Sequence, residues 1–215
     1  MKKRMKASLF EQWYTELKTY KKQILFSLLL FLVAGVLTYF SGQYTTKIGG
    51  TPVSDLILDH VPPMDLSFLY SYLMIAIIIL MIIYPLIFKI KEVHNIIYYV
   101  SLITIVRAIF ITFTHLKNPV GAIPVSFPGI FNIFTFQNDL FFSGHTALPL
   151  VGFLVFKSKI RYLFLAMSIL MGATVLIMHE HYTIDVMSAF FIVYGTYHLG
   201  DWLKDKLDLL NQKVF

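Results

Sequence analysis

Six long apolar blocks constrain the fold of this chain more than any other feature. They lie at about residues 23–41, 67–88, 95–114, 141–156, 160–178 and 183–199. A helix needs about 20 mostly apolar residues to cross roughly 30 Å of hydrocarbon. Across all 215 residues, 57% are hydrophobic and 14% charged, whereas about 25% of residues are charged in soluble domains. The sequence therefore predicts an all-α, polytopic membrane protein with six transmembrane helices.

The blocks divide the chain into three predicted parts. Residues 1–22 are expected to form a cytoplasmic or interfacial amphipathic helix, residues 23–199 the six-helix membrane domain, and residues 200–215 a cytoplasmic tail. The first block is long enough to span and lacks a small-residue cleavage site, so we expect it to be retained as a helix. The apolar face of the N-terminal helix comprises Leu9, Phe10, Trp13, Tyr14, Leu17 and Tyr20.

The distribution of basic residues predicts the orientation. Fifteen of the eighteen Lys and Arg residues lie before the first block, after the last, or in the connections on that side. The opposite side holds Lys47 and Lys117, and Arg107 lies inside the third block. Cytoplasmic loops are rich in Lys and Arg, so both termini are expected in the cytoplasm and the chain in the plasma (inner) membrane. Since the basic residues form no stripe on a soluble domain, no nucleic-acid partner is expected.

Two ionisable residues lie well inside the apolar blocks. Arg107 and Asp185 carry opposite charges and lie in the outer halves of their predicted helices. Ionisable groups in hydrocarbon are costly and by default indicate function. A simple Arg107–Asp185 ion pair joining two helices is the structural alternative.

The motif His181-Tyr182-Thr183-Ile184-Asp185 is the stronger of two histidine motifs. On a helix, residues four apart share a face, so Asp185 can orient the His181 ring and leave its other nitrogen as nucleophile or base. His179 lies six residues from Asp185, a spacing that points it elsewhere. Such a pair on its own is more often structural.

The other motif, Ser143-Gly144-His145-Thr146, opens a helix whose N-terminus is expected to point outward. Unpaired N–H groups and a partial positive charge favour an anion there, and Gly144 allows a phosphate close to the backbone. His145 can donate a proton to a leaving oxygen and later accept one, while Arg107 can bind phosphate oxygens. Alternatively, Ser143 only caps the helix and His145 is an interfacial polar residue.

The stretches Asp139–Thr146 and His179–Val186 resemble the two signature motifs of sphingomyelin synthases and related lipid phosphotransferases, within the type-2 phosphatidic acid phosphatase superfamily. The resemblance implies a six-helix fold with an outward-facing site. It also implies that His181 attacks the lipid phosphorus to form a phosphohistidine, that Asp185 assists, and that His145 acts as acid and then base.

Arg107 and Thr114 resemble the arginine-containing third-helix motif of that family. The expected substrate-binding residues are Arg107, Thr114, Asp139, Ser143, Gly144 and Tyr182. The chain also departs from the pattern: Val100 and Val175 stand where the broader superfamily has cations, and Gln137-Asn138 replace an expected Cys-Gly. Head group and acceptor therefore stay open.

The expected partners are a membrane lipid as donor and a lipid hydroxyl or water as acceptor, with a homo-oligomer possible. No cofactor and no metal are expected, and the absence of cysteine excludes thiolate chemistry. Two other functions stay open: a transporter or channel that uses the His, Asp and Arg groups, and a catalytically silent lipid-binding protein.

The two outer loops carry further polar and aromatic residues. In residues 42–66, carboxylates and a histidine invite a metal site, but loop carboxylates beside prolines are more often solvated or capping. These residues are Asp55, Asp59, His60 and Asp65. Residues 115–140 are predicted to form an apolar lid or a lipid-contacting rim, with Pro119, Pro124, Pro128, Phe127, Phe131, Phe134 and Phe136.

Overall fold

The computed structural model describes residues 8–125 and 135–212, and within these ranges the chain is helical and contains no β-sheet. The helices are α1 (Leu9–Thr19), α2 (Lys21–Ile48), α3 (Ser67–Phe88), α4 (Val93–Phe113), α5 (Gly144–Val155), α6 (Ile160–Ile177) and α7 (Thr183–Gln212). A short 3₁₀ turn, Ile90–Glu92, precedes α4. The predicted all-α class is confirmed.

Four of these helices are long and apolar enough to cross a membrane: α2, α3, α4 with its preceding turn, and α6. Helix α5 is apolar but has 12 residues, a length of about 18 Å at the usual helical rise. Helix α7 has 30 residues and is not among the four. Length and composition therefore support a multi-pass membrane protein with four candidate spans among the described residues, and six crossings stay a prediction.

The first outer loop is shorter than predicted, because α2 continues to Ile48 instead of ending near residue 41. Hydroxyl groups let the helix run through this polar stretch: Thr45 and Thr46 both donate to the carbonyl of Gly42, at 3.0 and 2.8 Å. Such bonds back to the preceding turn satisfy Ser and Thr side chains inside helices. Gly49, with φ of 69°, ends the helix.

The interior is an apolar core between the helices, while the outer faces of α2 and α3 are also apolar. Helix α2 packs along α4, and α5 packs against α6 and α7. Phe142, Val151 and Phe164 are fully buried in this core, whereas Leu32 and Phe68 are exposed. Large apolar side chains that face outward on spanning helices are expected where the surroundings are lipid.

The described parts of both outer loops lie over one end of the helix bundle. Thr51 and Leu116 form a bridge between the loops. The Met64 N–H donates to the carbonyl of Ile177 at the end of α6, at 3.0 Å. The Ile123 N–H donates to the carbonyl of Met178, also at 3.0 Å. Since α5 and α7 begin at this end, both histidine motifs lie beneath the loops.

Helices lie near both ends of the described chain. Ser8 and Glu11 form a capping box at the start of α1, and the Trp13 indole N–H donates to the carbonyl of Leu86 at 3.1 Å. The tail from Trp202 onward continues α7.

The predicted lid can be described only in part. Phe127, Pro128, Phe131 and Phe134 lie outside the described residues. Phe136 is described, and its ring packs against Gly42 on α2 so closely that a Cβ there would lie 2.3 Å from the ring.

Candidate active site

A cavity of about 430 Å³ lies at the end of the bundle covered by the outer loops. It brings together residues from α4, the segment before α5, the start of α5 and the turn between α6 and α7. Its chemically active lining comprises Arg107, Asp139, His145, Glu180 and His181, joined by Tyr70, Lys117 and Asn118. Residues far apart along the chain thus meet in one site.

Arg107 is held by the segment that leads into α5. Its Nε donates to the carbonyl of Phe142 at 2.8 Å, and its two terminal nitrogens donate to a side-chain oxygen and the main-chain oxygen of Asp139, each at 3.0 Å. The guanidinium also lies 2.9 Å from the other carboxylate oxygen of Asp139. The partner of Arg107 is therefore Asp139, and the alternative of an Arg107–Asp185 ion pair is wrong. The chain between α4 and α5 folds back and places a carboxylate nearer to Arg107 than helix α7 does.

Gly144 makes room for this arginine. A Cβ at Gly144 would lie 3.1 Å from Nε and 3.4 Å from Cζ of Arg107, closer than side chains normally pack. Sequence reasoning assigned Gly144 to the approach of a phosphate, whereas the structure shows that the guanidinium occupies the space beside it. The glycine therefore sets how deeply Arg107 enters the site.

His181 lies beside Asp185, as predicted, but not on the same helix face. Helix α7 begins only at Thr183, so His181 belongs to the preceding turn. Its Nδ1 lies 3.4 Å from Oδ2 of Asp185, and both side chains are almost fully buried. The same Oδ2 accepts a 2.9 Å hydrogen bond from the main-chain N–H of Tyr182. The start of α7 thus fixes the carboxylate against the imidazole.

His145 faces His181 across the cavity. It is the second residue of α5, and the centroids of the two imidazole rings are 5.9 Å apart. The ring of Tyr70, from α3, packs on His145 at a centroid distance of 4.3 Å. The main-chain N–H of Ser143 donates to the carbonyl of Asp185 at 3.1 Å, which ties the starts of α5 and α7 together.

His179 is engaged elsewhere. Its Nδ1 lies 2.9 Å from the carbonyl of Val120, and its Nε2 lies 2.8 Å from the carbonyl of Val61. The ring therefore bridges the two outer loops, and the structure places His181, not His179, beside Asp185.

Three residues predicted to bind substrate lie away from the cavity lining. Ser143 is buried and caps α5, since its hydroxyl accepts from the N–H of Thr146 at 3.4 Å. The hydroxyl of Thr114 donates to the carbonyl of Phe110 at 2.6 Å. The hydroxyl of Tyr182 lies under the outer loops, where it accepts from one main-chain N–H at 3.0 Å and donates to one carbonyl at 2.8 Å. Their placement favours structural roles.

The cavity also contains residues that sequence reasoning did not select. Glu180 lies in the turn before α7, and burial raises the pKa of its carboxyl although the neighbouring His181 opposes the shift. Its position next to the nucleophile candidate was visible in the motif, but nothing in the spacing indicated its direction. No sequence pattern indicated that Tyr70 and Lys117 line the cavity, because their distance from it depends on how α3 and the second outer loop fold.

The two positions where the broader superfamily was expected to carry cations are apolar here. Val175 is fully buried in a small core with Tyr70, Met178 and Val186, and Val100 packs at the edge of the main core. Positive charge in the cavity lining of the described chain comes from Arg107 and Lys117. Since Asp139 neutralises Arg107, the site differs electrostatically from a cluster of free cations.

Two carboxylates of the first outer loop accept hydrogen bonds from the first residue of a helix. Asp55 accepts hydrogen bonds from the N–H and the hydroxyl of Thr183, at 2.7 and 2.8 Å. Asp65 accepts from the N–H and the hydroxyl of Ser67 at 2.9 and 2.6 Å, which lowers its pKa. Across the described ranges, no group of three His, Asp or Glu side chains is placed to hold a metal ion.

A comparison with known protein families also finds similarity in the segment that contains the two histidine motifs. Residues 138–201 match the family model for the PAP2 superfamily C-terminal region. The matched segment contains both histidine motifs, and it supports the type-2 phosphatidic acid phosphatase superfamily, whose members act on membrane lipids. No curated protein and no solved structure matches this chain. The sphingomyelin synthase-like subgroup therefore rests on the motif resemblance alone.

Proposed function

We propose that this protein is an integral membrane lipid phosphotransferase or phosphatase that acts on a phospholipid or sphingolipid head group through a phosphohistidine intermediate. The observation that carries the proposal is the pair of histidines facing each other across one cavity. His181 is backed by the carboxylate of Asp185, and His145 stands opposite, with 5.9 Å between ring centroids. A phosphoryl group between the two rings would have a nucleophile on one side and a proton donor on the other.

In the first half-reaction, Nε2 of His181 attacks the phosphorus. The bond from phosphorus to the leaving oxygen breaks, and His145 gives that oxygen a proton. Asp185 faces Nδ1 of His181, so the carboxylate favours the tautomer with the proton on Nδ1 and a lone pair on Nε2. It also stabilises the positive charge that the ring gains.

In the second half-reaction, His145 takes the proton of an acceptor hydroxyl, whose oxygen attacks the phosphorus and releases His181. Arg107 stabilises the charge on the phosphoryl oxygens. A guanidinium has five N–H donors, and three hydrogen bonds to Asp139 and Phe142 leave donors for the phosphate. No metal is needed in either step.

We further propose six crossings, with α5 and α7 completing the set, both termini in the cytoplasm and residues 23–199 as the catalytic domain. The distribution of Lys and Arg supports this orientation, and both motifs lie at the end of the bundle opposite the N-terminus of α2. The site would then open to the extracytoplasmic side of the plasma membrane.

A transporter or channel would require polar groups through the depth of the membrane. The polar lining of this cavity gathers instead at one end of the bundle. Water as the acceptor would make the protein a hydrolase, and a lipid hydroxyl as the acceptor would make it a transferase.

The test is turnover by purified, membrane-inserted protein of a panel of labelled phospholipids, with and without ceramide or diacylglycerol, and mass spectrometry of the products. His181→Ala is expected to abolish head-group release and exchange. His198→Ala is the matched control, because His198 packs against Tyr194 and Tyr197 on α7, outside the cavity lining. Turnover by His181→Ala at the native rate would refute the mechanism.

A further inference from the structure

Asp55 connects the first outer loop to the start of α7. Its Oδ2 accepts from the Thr183 N–H at 2.7 Å, and its Oδ1 accepts from the Thr183 hydroxyl at 2.8 Å. Oδ1 also accepts from the N–H groups of Ile57 and Leu58, at 2.9 and 3.2 Å. One carboxylate thus closes a turn of the loop and caps the first residue of the helix.

The helix turn that Asp55 caps carries Asp185, the carboxylate beside His181. Asp185 is the third residue of α7, and its Oδ2 accepts from the Tyr182 N–H at 2.9 Å while lying 3.4 Å from Nδ1 of His181. The first turn of a helix has N–H groups without intrahelical partners, and it frays when they are not capped. Fraying of this turn would move Asp185 away from His181.

The Asp55 carboxylate is suited to this position. Burial alone would raise the pKa of Asp55, but the hydrogen bonds from Thr183, Leu58 and Ile57 outweigh it and lower the pKa. The group is therefore ionised at neutral pH, and a negative charge at a helix N-terminus is favourable. Asp55 lies outside the lining of the catalytic cavity, so any effect on the reaction must pass through α7.

We propose that Asp55 is a positioning residue for the reaction: by capping Thr183 it holds the first turn of α7 in the arrangement that places Asp185 against His181. This inference rests on the proposed function, in which His181 is the nucleophile. It assigns the first outer loop a part in catalysis without contact between that loop's carboxylate and the substrate.

The chain offers a matched control. Ser8 caps α1, where its hydroxyl accepts from the N–H of Glu11 at 3.2 Å, and α1 contributes no residue to the cavity lining. Initial rates are measured with fluorescent-tailed phosphatidylcholine and phosphatidic acid in mixed micelles. Asp55→Ala is expected to lower kcat about tenfold and to leave KM unchanged. Loss of a cap usually shifts the equilibrium between the formed and frayed helix turn by about this factor. Ser8→Ala should keep the native kcat, and Asp55→Asn, which retains one acceptor oxygen, should lie between native and Asp55→Ala.

A second measurement does not require turnover. In protein labelled with ¹⁵N-histidine, the Nδ1 resonance of His181, assigned by its loss in His181→Ala, should shift in Asp55→Ala and stay in place in Ser8→Ala. An unshifted resonance together with a native kcat in Asp55→Ala would overturn the inference, as would an equal loss of kcat in both alanine variants. Native turnover by His181→Ala would instead refute the proposed function, and the resonance would still decide whether Asp55 positions the pair.

Discussion

Replacing Asp139 by asparagine removes the charge that balances Arg107 and keeps the shape of the side chain. The two side chains are 15% and 14% exposed, and the guanidinium lies 2.9 Å from one carboxylate oxygen. Removing one partner of a fully buried ion pair costs roughly 3–5 kcal/mol, whereas exposed pairs contribute about 0–1 kcal/mol. Arg107 keeps two main-chain acceptors, the carbonyls of Asp139 and Phe142. We therefore expect Asp139→Asn to lower the free energy of unfolding by about 2 kcal/mol.

For a chain of this size, that loss corresponds to a fall in Tm of about 4–8 °C. Thermal unfolding of the detergent-solubilised protein measures it, and Asp205→Asn is the control because Asp205 is exposed near the end of α7. A double-mutant cycle with Arg107→Met isolates the pair, with an expected coupling of about 1–3 kcal/mol. A coupling below about 0.5 kcal/mol would show that Asp139 does not hold Arg107 and would refute the account of this contact.

Three further predictions concern the cavity and its cover. Gly144→Ala should lower the rate of lipid turnover roughly tenfold to a hundredfold, because a Cβ 3.1 Å from Nε displaces Arg107. Gly35→Ala is the control, since no atom lies within 4 Å of the added Cβ, and it should keep the native rate. Burial raises the pKa of Glu180, so ionisation of this carboxyl opposes folding. The free energy of unfolding of Glu180→Gln should therefore equal that of the native protein below about pH 4.5. It should exceed the native value as the pH rises through the folded-state pKa. Tyr182→Phe should cost about 1–3 kcal/mol in thermal unfolding, because a main-chain N–H and a carbonyl lose their shared hydroxyl; an unchanged Tm would contradict this.

The helices could be predicted from the sequence because their apolar blocks are long and their ends are marked. Ser143 was expected to bind substrate, and the structure favours the alternative in which it caps α5. The end of α2 was placed too early, since the polar residues after residue 41 looked like a loop. Their hydroxyl groups instead bond back to helical carbonyls, as Thr46 does to Gly42. Hydropathy alone does not contain that information.

Only those contacts of the site that are close in sequence could be predicted. Local spacing was enough to pair His181 with Asp185, although the pair is formed by a turn and the first residues of a helix, not by two positions on one helical face. The partner of Arg107 was missed because Asp139 lies 32 residues away in a segment without regular structure. Glu180 was visible in the motif, but the direction of its side chain depends on the fold of the turn.

The phosphohistidine intermediate is the central claim, and direct detection tests it. The purified protein is incubated briefly with lipids labelled at the phosphorus, quenched in alkali to preserve phosphohistidine, digested and mapped by mass spectrometry. The account predicts a phosphoryl group on His181, absent from His181→Ala and chased by added acceptor. Lipid turnover with no phosphate on His181, or with the label on another residue, would contradict it.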